Sequence, residues 1–276
     1  MAYVLSLGAL VAVLYWFYRY TTVDGRHRAT ALATEFPAAW RALLAGHVAF
    51  YVALGETEKT RFERQIQLFL AGTRITGVQT DVDDLTRLLV AASAVIPIFG
   101  FPEWEYARLG EVLVVPDAWV PGDAPDQAVP PPQGTLLGSV QGFQNQHYMR
   151  LSKAALLQGF ANAHDRQNVG IHEFVHLLDE ADGAIDGVPR AALPAYLLRP
   201  WAAAVHREME AVRAGRSEIG DYAGTSEAEF FAVVTEYFFE KPQKLQEHHP
   251  GLYGLLTQLF NQDPGALEGE AARVNG

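Results

Sequence analysis

Two histidines four residues apart, with a glutamate directly after the first, are the part of this chain best equipped for chemistry: His172-Glu173-Phe174-Val175-His176. On an α-helix, residues i and i+4 stack on one face, so both imidazoles can reach a single ion at about 2.0–2.1 Å. Glu173 lies beside that face, close enough to take a proton from a metal-bound water. The intervening and flanking positions Ile171, Phe174, Val175, Leu177 and Leu178 are apolar, which places the helix in a core where stacked histidines need a partner. With nine histidines in 276 residues, the expected number of accidental matches to this spacing is about 0.02. The alternative is a helix whose histidines merely hydrogen-bond their neighbours. The buried setting and a second acidic cluster downstream favour a metal over it.

Two histidines do not complete such a site, so a third ligand must come from elsewhere. Asp182 lies six residues after His176, where a glycine-permitted turn could return a ligand, but the turn position holds Asp179 instead of glycine. Asp179 itself sits near the ligand face and is better placed to orient a histidine as an acceptor. Glu229 lies in the strongly apolar run Ala228-Glu-Phe-Phe-Ala-Val-Val-Thr-Glu-Tyr-Phe-Phe239, where a carboxylate is costly unless paired or metal-bound. Against it, Ser226-Glu-Ala-Glu229 also reads as a capping box. Glu236, seven residues on, shares the helix face of Glu229 and reads as a supporting partner or a satisfied buried carboxylate. Position alone leaves the choice open.

The elements around these residues are legible from periodicity. Trp40, Leu43, Leu44, His47, Phe50, Tyr51 and Leu54 recur at helical spacing, and residues 35–95 read as helical throughout. Leu85 to Ile96 reads as a buried Ala-rich helix and Val112 to Pro116 as a short buried strand ended by proline. Residues 121–134 contain five prolines and read as a loop. His147 to Ser152 alternates like a strand, followed by Gly159 and a polar turn around Asp165 before the motif helix. Further helices are expected over 194–214, 227–240 and 249–262. The pattern predicts an α+β, mostly helical fold with a small sheet. It is organised as one domain over residues 30–265 and a flexible tail over 266–276.

Composition excludes some functions. A net charge of −11 without any Lys/Arg-rich run argues against direct nucleic-acid binding. Cysteine is absent, so a metal site must be built from His, Asp and Glu. Residues 1–18 carry no charge and as a helix would span roughly 27 Å, enough to cross a bilayer. Aromatic residues Tyr15 to Tyr18 close this stretch and Arg19, Arg26 and Arg28 follow it. Residues 1–20 are therefore expected to form a retained anchor in the inner membrane with the bulk of the chain facing the cytoplasm. The alternative is an apolar helix docked on a cytoplasmic domain.

The stretch Asn168 to Asp179, followed by Asp221-Tyr-Ala-Gly-Thr-Ser-Glu-Ala-Glu-Phe-Phe-Ala-Val-Val-Thr-Glu-Tyr-Phe-Phe239, resembles the Mlc titration factor A family of bacterial zinc peptidases. That family's catalytic core is similar to the catalytic domain of anthrax lethal factor. The resemblance extends over most of residues 35–262, including Leu113-Val-Val-Pro116. It implies a zincin-like (gluzincin) core with Zn2+ held by His172, His176 and Glu229, and with Glu173 as the catalytic glutamate. It also implies that Tyr222 lines the site, where its phenol would donate to the oxyanion of a tetrahedral intermediate. The implied activity is aminopeptidase-like hydrolysis of short peptides, and for some members binding of the Mlc repressor of sugar-transport genes. The apolar N-terminal segment departs from the soluble members. Substrate is expected to pair with the strand around His147 to Ser152. The competing expectation is a membrane-tethered regulator that binds an Mlc-like repressor with little or no catalysis.

Overall fold

The computed structural model describes residues 28–106, 109–117, 138–143, 146–162, 167–267 and 269. Helices α1 (Ala38–His47), α2 (Ala49–Ala53) and α3 (Glu56–Gly72) bury Leu44, Tyr51, Phe62 and Ile66. A short strand, β1 (Arg74–Gly77), then leads to α4 (Asp84–Ile98). Asp83 caps α4, accepting from the Thr86 N–H at 2.8 Å and from its hydroxyl at 2.6 Å. Every residue of α4 from Leu88 to Ile98 is buried. A helix apolar on all sides belongs at the centre of a domain, and α4 packs between α3 and the motif helix.

Strands β2 (Leu109–Val115), β3 (Gly138–Phe143) and β4 (Gln146–Ser152) complete a four-stranded sheet in the order β1-β2-β4-β3. β1 and β4 flank β2 in parallel, and β3 runs antiparallel to β4. The pairing of Val112 with Met149 and Val114 with Leu151 puts four fully buried side chains into the core. Helix α5 (Lys153–Ala161) follows β4 directly, then the motif helix α6 (Val169–Asp179), α7 (Leu198–Arg213) and α8 (Glu227–Glu240). The last two, α9 (Pro242–His248) and α10 (Pro250–Phe260), each start with proline, whose missing N–H costs nothing in the first turn. Phe231 of α8 meets Trp201 of α7 edge-on at 5.6 Å and stacks on Phe260 of α10 at 6.1 Å. Aromatic packing thereby fixes α8 from the side away from α6.

The mostly helical chain with one small mixed sheet agrees with the expected class, and Glu227–Glu240 matches the expected helix. Several expectations need correction. The helical reading of 35–95 is interrupted by β1, where Ile75 and Thr76 are β-branched and find a parallel partner in β2. Helix α5 fills part of the segment read as a turn before the motif, and α9 precedes the last expected helix. The strand over His147 to Ser152 exists but is not an edge: β4 is paired on both sides, and β3 is the outer strand among the described residues. β4 therefore has no free edge to offer a substrate. No helix among the described residues is long and apolar enough to cross a membrane. The anchor expected over residues 1–20, the proline-rich loop and most of the tail lie outside the described residues.

Candidate metal centre

Helix α6 starts where the Asn168 side chain accepts from the Ile171 N–H at 3.1 Å. Its apolar residues Ile171, Phe174, Val175, Leu177 and Leu178 are buried, which leaves one stripe for His172 and His176, stacked with ring centroids 4.8 Å apart. Helix α8 begins at Ser226, whose hydroxyl accepts from the Glu229 N–H at 3.2 Å. The Glu229 carboxylate does not complete a capping box; it turns to the imidazoles. The Nε2 of His172 lies 3.0 Å from Glu229 Oε2 and 3.1 Å from His176 Nε2, and the third side of the triangle, His176 Nε2 to Glu229 Oε2, is 3.5 Å. These are the only three residues among those described whose donor atoms converge in this way.

The chemistry of this triangle decides what fits it. Glu236 accepts at His172 Nδ1, 2.7 Å away, with its other oxygen on the Asn168 N–H. His172 thus has a carboxylate at each ring nitrogen, which a neutral imidazole with one N–H cannot satisfy. Burial opposes a charge on His172, but its hydrogen bonds to Glu229 and Glu236 outweigh burial and hold its pKa well above the ordinary value. Burial likewise opposes ionisation of Glu229, yet the two imidazoles hold its carboxyl well below the usual range. The site is built around a positive charge. A second proton on His172 would serve Glu229 and leave His176 Nε2 facing an N–H without sharing the charge. An ion bound at about 2.0–2.1 Å to three corners of a tetrahedron would hold them about 3.3 Å apart. The observed sides of 3.0, 3.1 and 3.5 Å are compatible with a bound metal.

Glu173 is buried beside this triangle, and burial raises its pKa against the pull of both imidazoles. Strand β3 crosses directly over it: a Cβ at Gly138 would stand 2.4 Å from Glu173 Oε1, so only glycine leaves the carboxylate in place. Tyr222, on the turn Asp221–Gly224, sits at the rim, half exposed, with its ring 6.2 Å from that of His172. Partial burial and the Glu229 carboxylate push its phenol up to about 12, which keeps it a proton donor. A cavity of about 510 Å³ opens beside His172, Glu173 and Tyr222, walled by Val169, Ile219, Val233 and Tyr237 and bordered by Gln158.

The other acids fall elsewhere. Asp182 accepts from the Ala184 N–H at 3.2 Å and the Arg190 N–H at 3.0 Å, which ties it to its own loop. Asp179 is fully buried and accepts from the Gly187 N–H at 2.7 Å, with no hydrogen bond to a histidine. Burial raises its pKa to about 6, offset in part by the Gly187 N–H. Gly138 and the strand it begins were not singled out in the sequence. The short alternation Ser139-Val140-Gln141 after the proline-rich loop was the available signal.

The family model for glucose-regulated metallo-peptidase M90 matches residues 23–261. The chain belongs to this family. An uncharacterized protein of Synechocystis sp., slr2042, is 32% identical over 236 residues, covering 83% of this chain and 85% of that protein. Mlc titration factor A of Cronobacter sakazakii is 26% identical over 252 residues, 86% of this chain and 91% of the relative. The Edwardsiella ictaluri protein of the same name is 35% identical over 105 residues, 35% of this chain and 40% of the relative. A mostly helical M90 chain with a His-His-Glu grouping is compatible with a bound metal.

Proposed function

We propose that this M90 member is a zinc peptidase with a zincin-like (gluzincin) core, in which His172, His176 and Glu229 hold the ion and Glu173 is the general base. The observation that carries this reading is the triangle of two Nε2 atoms and one carboxylate oxygen with sides of 3.0, 3.1 and 3.5 Å. No Lys or Arg forms an ion pair with Glu173, Glu229 or Glu236 among the described residues; the two imidazoles are their partners there, and a bound cation would complete the balance of charge. Zinc in such a site acidifies water and polarises a carbonyl. The chain's own residues do the rest. Glu173, with its pKa raised by burial, is suited to accept a proton from water and return it to the leaving amine. Tyr222 donates its O–H to the oxygen that becomes negative during attack. Glu236 keeps the His172 ring oriented and fixes its tautomer. The outer edge of β3, unpaired among the described residues, in place of β4, pairs with an extended peptide beside Glu173. The cavity receives a neighbouring substrate side chain. An aminopeptidase-like preference for short peptides and an anchor in residues 1–18 belong to the same proposal.

The test is hydrolysis of chromogenic amino-acid anilides and short peptides, with chelator, with zinc restored, and with Glu173→Gln. The substitution is expected to lower turnover about 10²–10⁴-fold while zinc stays bound. Full activity in Glu173→Gln would remove that residue from the mechanism. A second reading is favoured by the name of several relatives, Mlc titration factor A: stoichiometric capture of an Mlc-like repressor. Capture of purified repressor that persists in Glu173→Gln, together with an absence of peptide turnover in the wild type, would favour this reading over the peptidase.

A further inference from the structure

The two histidines of the triangle are held differently. His172 has Glu236 at its Nδ1, 2.7 Å away, whereas His176 Nδ1 is buried and has no partner among the described residues. One turn further along the same helix, Asp179 is fully buried, and its Oδ1 is likewise without a partner. Residues i and i+3 of a helix share a face, with Cβ atoms about 5–6 Å apart. Two buried polar atoms on one helix face, each without a partner among the described residues, each oppose folding. Once His176 commits its Nε2 lone pair to an ion the ring proton must sit on Nδ1 and needs an acceptor, and Asp179 Oδ1 is a buried acceptor on the same helix face.

The other oxygen of Asp179 is engaged in spacing. Oδ2 accepts from the Gly187 N–H at 2.7 Å, and the Gly187 carbonyl accepts from the buried Trp201 indole of α7, also at 2.7 Å. Gly187 has φ +73°, and a Cβ there would lie 2.3 Å from the Glu227 carbonyl oxygen. The loop therefore seats its bare backbone on the first residue of α8, two positions before Glu229. The end of α6, the side of α7 and the start of α8 meet at this one residue.

Taking the metal reading as the starting point, we propose that Asp179 is a positioning residue for both halves of the centre. Oδ1 receives the His176 Nδ1–H, and Oδ2 fixes the Gly187 loop that sets the separation of Glu229 from the histidine pair. The experiment uses the full chain and three variants, Asp179→Ala, Asp179→Asn and Gly187→Ala. It measures zinc affinity by chelator competition, the visible spectrum of the cobalt-substituted protein, and the His176 tautomer by nitrogen-15 NMR with and without zinc. Asp179→Ala is expected to weaken zinc binding about 10–100-fold and to change the His176 tautomer population and the cobalt spectrum. Asp179→Asn, which keeps an acceptor for Gly187, is expected to shift the tautomer with a smaller affinity loss. Gly187→Ala is expected to reduce affinity to that of Glu229→Ala, with no further loss when the two are combined. Wild-type affinity, tautomer and spectrum in folded Asp179→Ala and Asp179→Asn would overturn the proposal. A wild-type chain that binds no zinc would sink the metal reading. In that case the proposal falls with it, because the pairing of His176 with Asp179 is argued from an ion at Nε2.

Discussion

Two clusters of buried carboxylate show how the same expensive group is put to different uses. In the first, Glu63 of α3 is buried and accepts from the Arg41 guanidinium at 3.0 Å to each oxygen and from the Tyr51 hydroxyl at 2.7 Å. Its counter-charge is permanent, because an arginine does not deprotonate. In the second, Glu173, Glu229 and Glu236 gather around two imidazoles with no arginine or lysine paired to them among the described residues. A buried carboxylate with a resident cation braces the fold. A cluster lacking one is stable only with an ion or proton taken from solution. The charge deficit, more than the HExxH spacing, is what supports the proposal that the second cluster binds an ion.

Thermal stability as a function of zinc separates the two clusters by the largest margin. Zinc at 100-fold over its dissociation constant is expected to stabilise the wild type by about 2.7 kcal/mol, read as a rise in Tm. Glu229→Ala should show little of that rise. Arg41→Ala should unfold at a lower temperature than the wild type but keep the full zinc response, since its cluster contains no site. An equal zinc response in Glu229→Ala and wild type would erase the distinction between the clusters.

A smaller effect sharpens it. Glu236→Gln keeps an acceptor at His172 Nδ1 while removing charge, and is expected to weaken zinc about 10–100-fold in chelator competition. An unchanged affinity would make Glu236 a bystander.

The smallest effect concerns Asp179, whose pKa is raised to about 6 from 3.8 chiefly by burial. Between those values the folded chain holds a proton that the unfolded chain has released, so stability falls as pH rises through this window and levels off above it. Urea titrations of metal-free protein from pH 4 to 7 should show this slope, and Asp179→Asn should lack the part due to Asp179. Identical slopes in the two proteins would contradict the assignment.

Much of this was legible in the sequence, for reasons that differ by residue. His172 and His176 were readable because helical stacking is a local rule, and helix 227–240 because its apolar run has few polar interruptions. The role of Glu229 was ambiguous locally: Ser226 does cap α8, but where the Glu229 carboxylate points depends on α6 lying alongside. The partnership of Glu236 with His172 joins positions 64 residues apart, and no local pattern encodes it. Strand β1 was absorbed into a helical reading because only its parallel partner β2 defines it. The same limit applied to β4, since a strand's own residues do not reveal whether it lies at an edge or in the interior of a sheet.

The most direct measurement is metal analysis of the purified chain with X-ray absorption at the zinc edge, on the wild type and on Glu229→Ala. One zinc per chain is expected, ligated by two imidazole nitrogens and a carboxylate oxygen at about 2.0–2.2 Å. In Glu229→Ala the zinc should be largely lost. A wild type that holds no metal, or a Glu229→Ala variant with unchanged zinc content and ligation, would contradict the account.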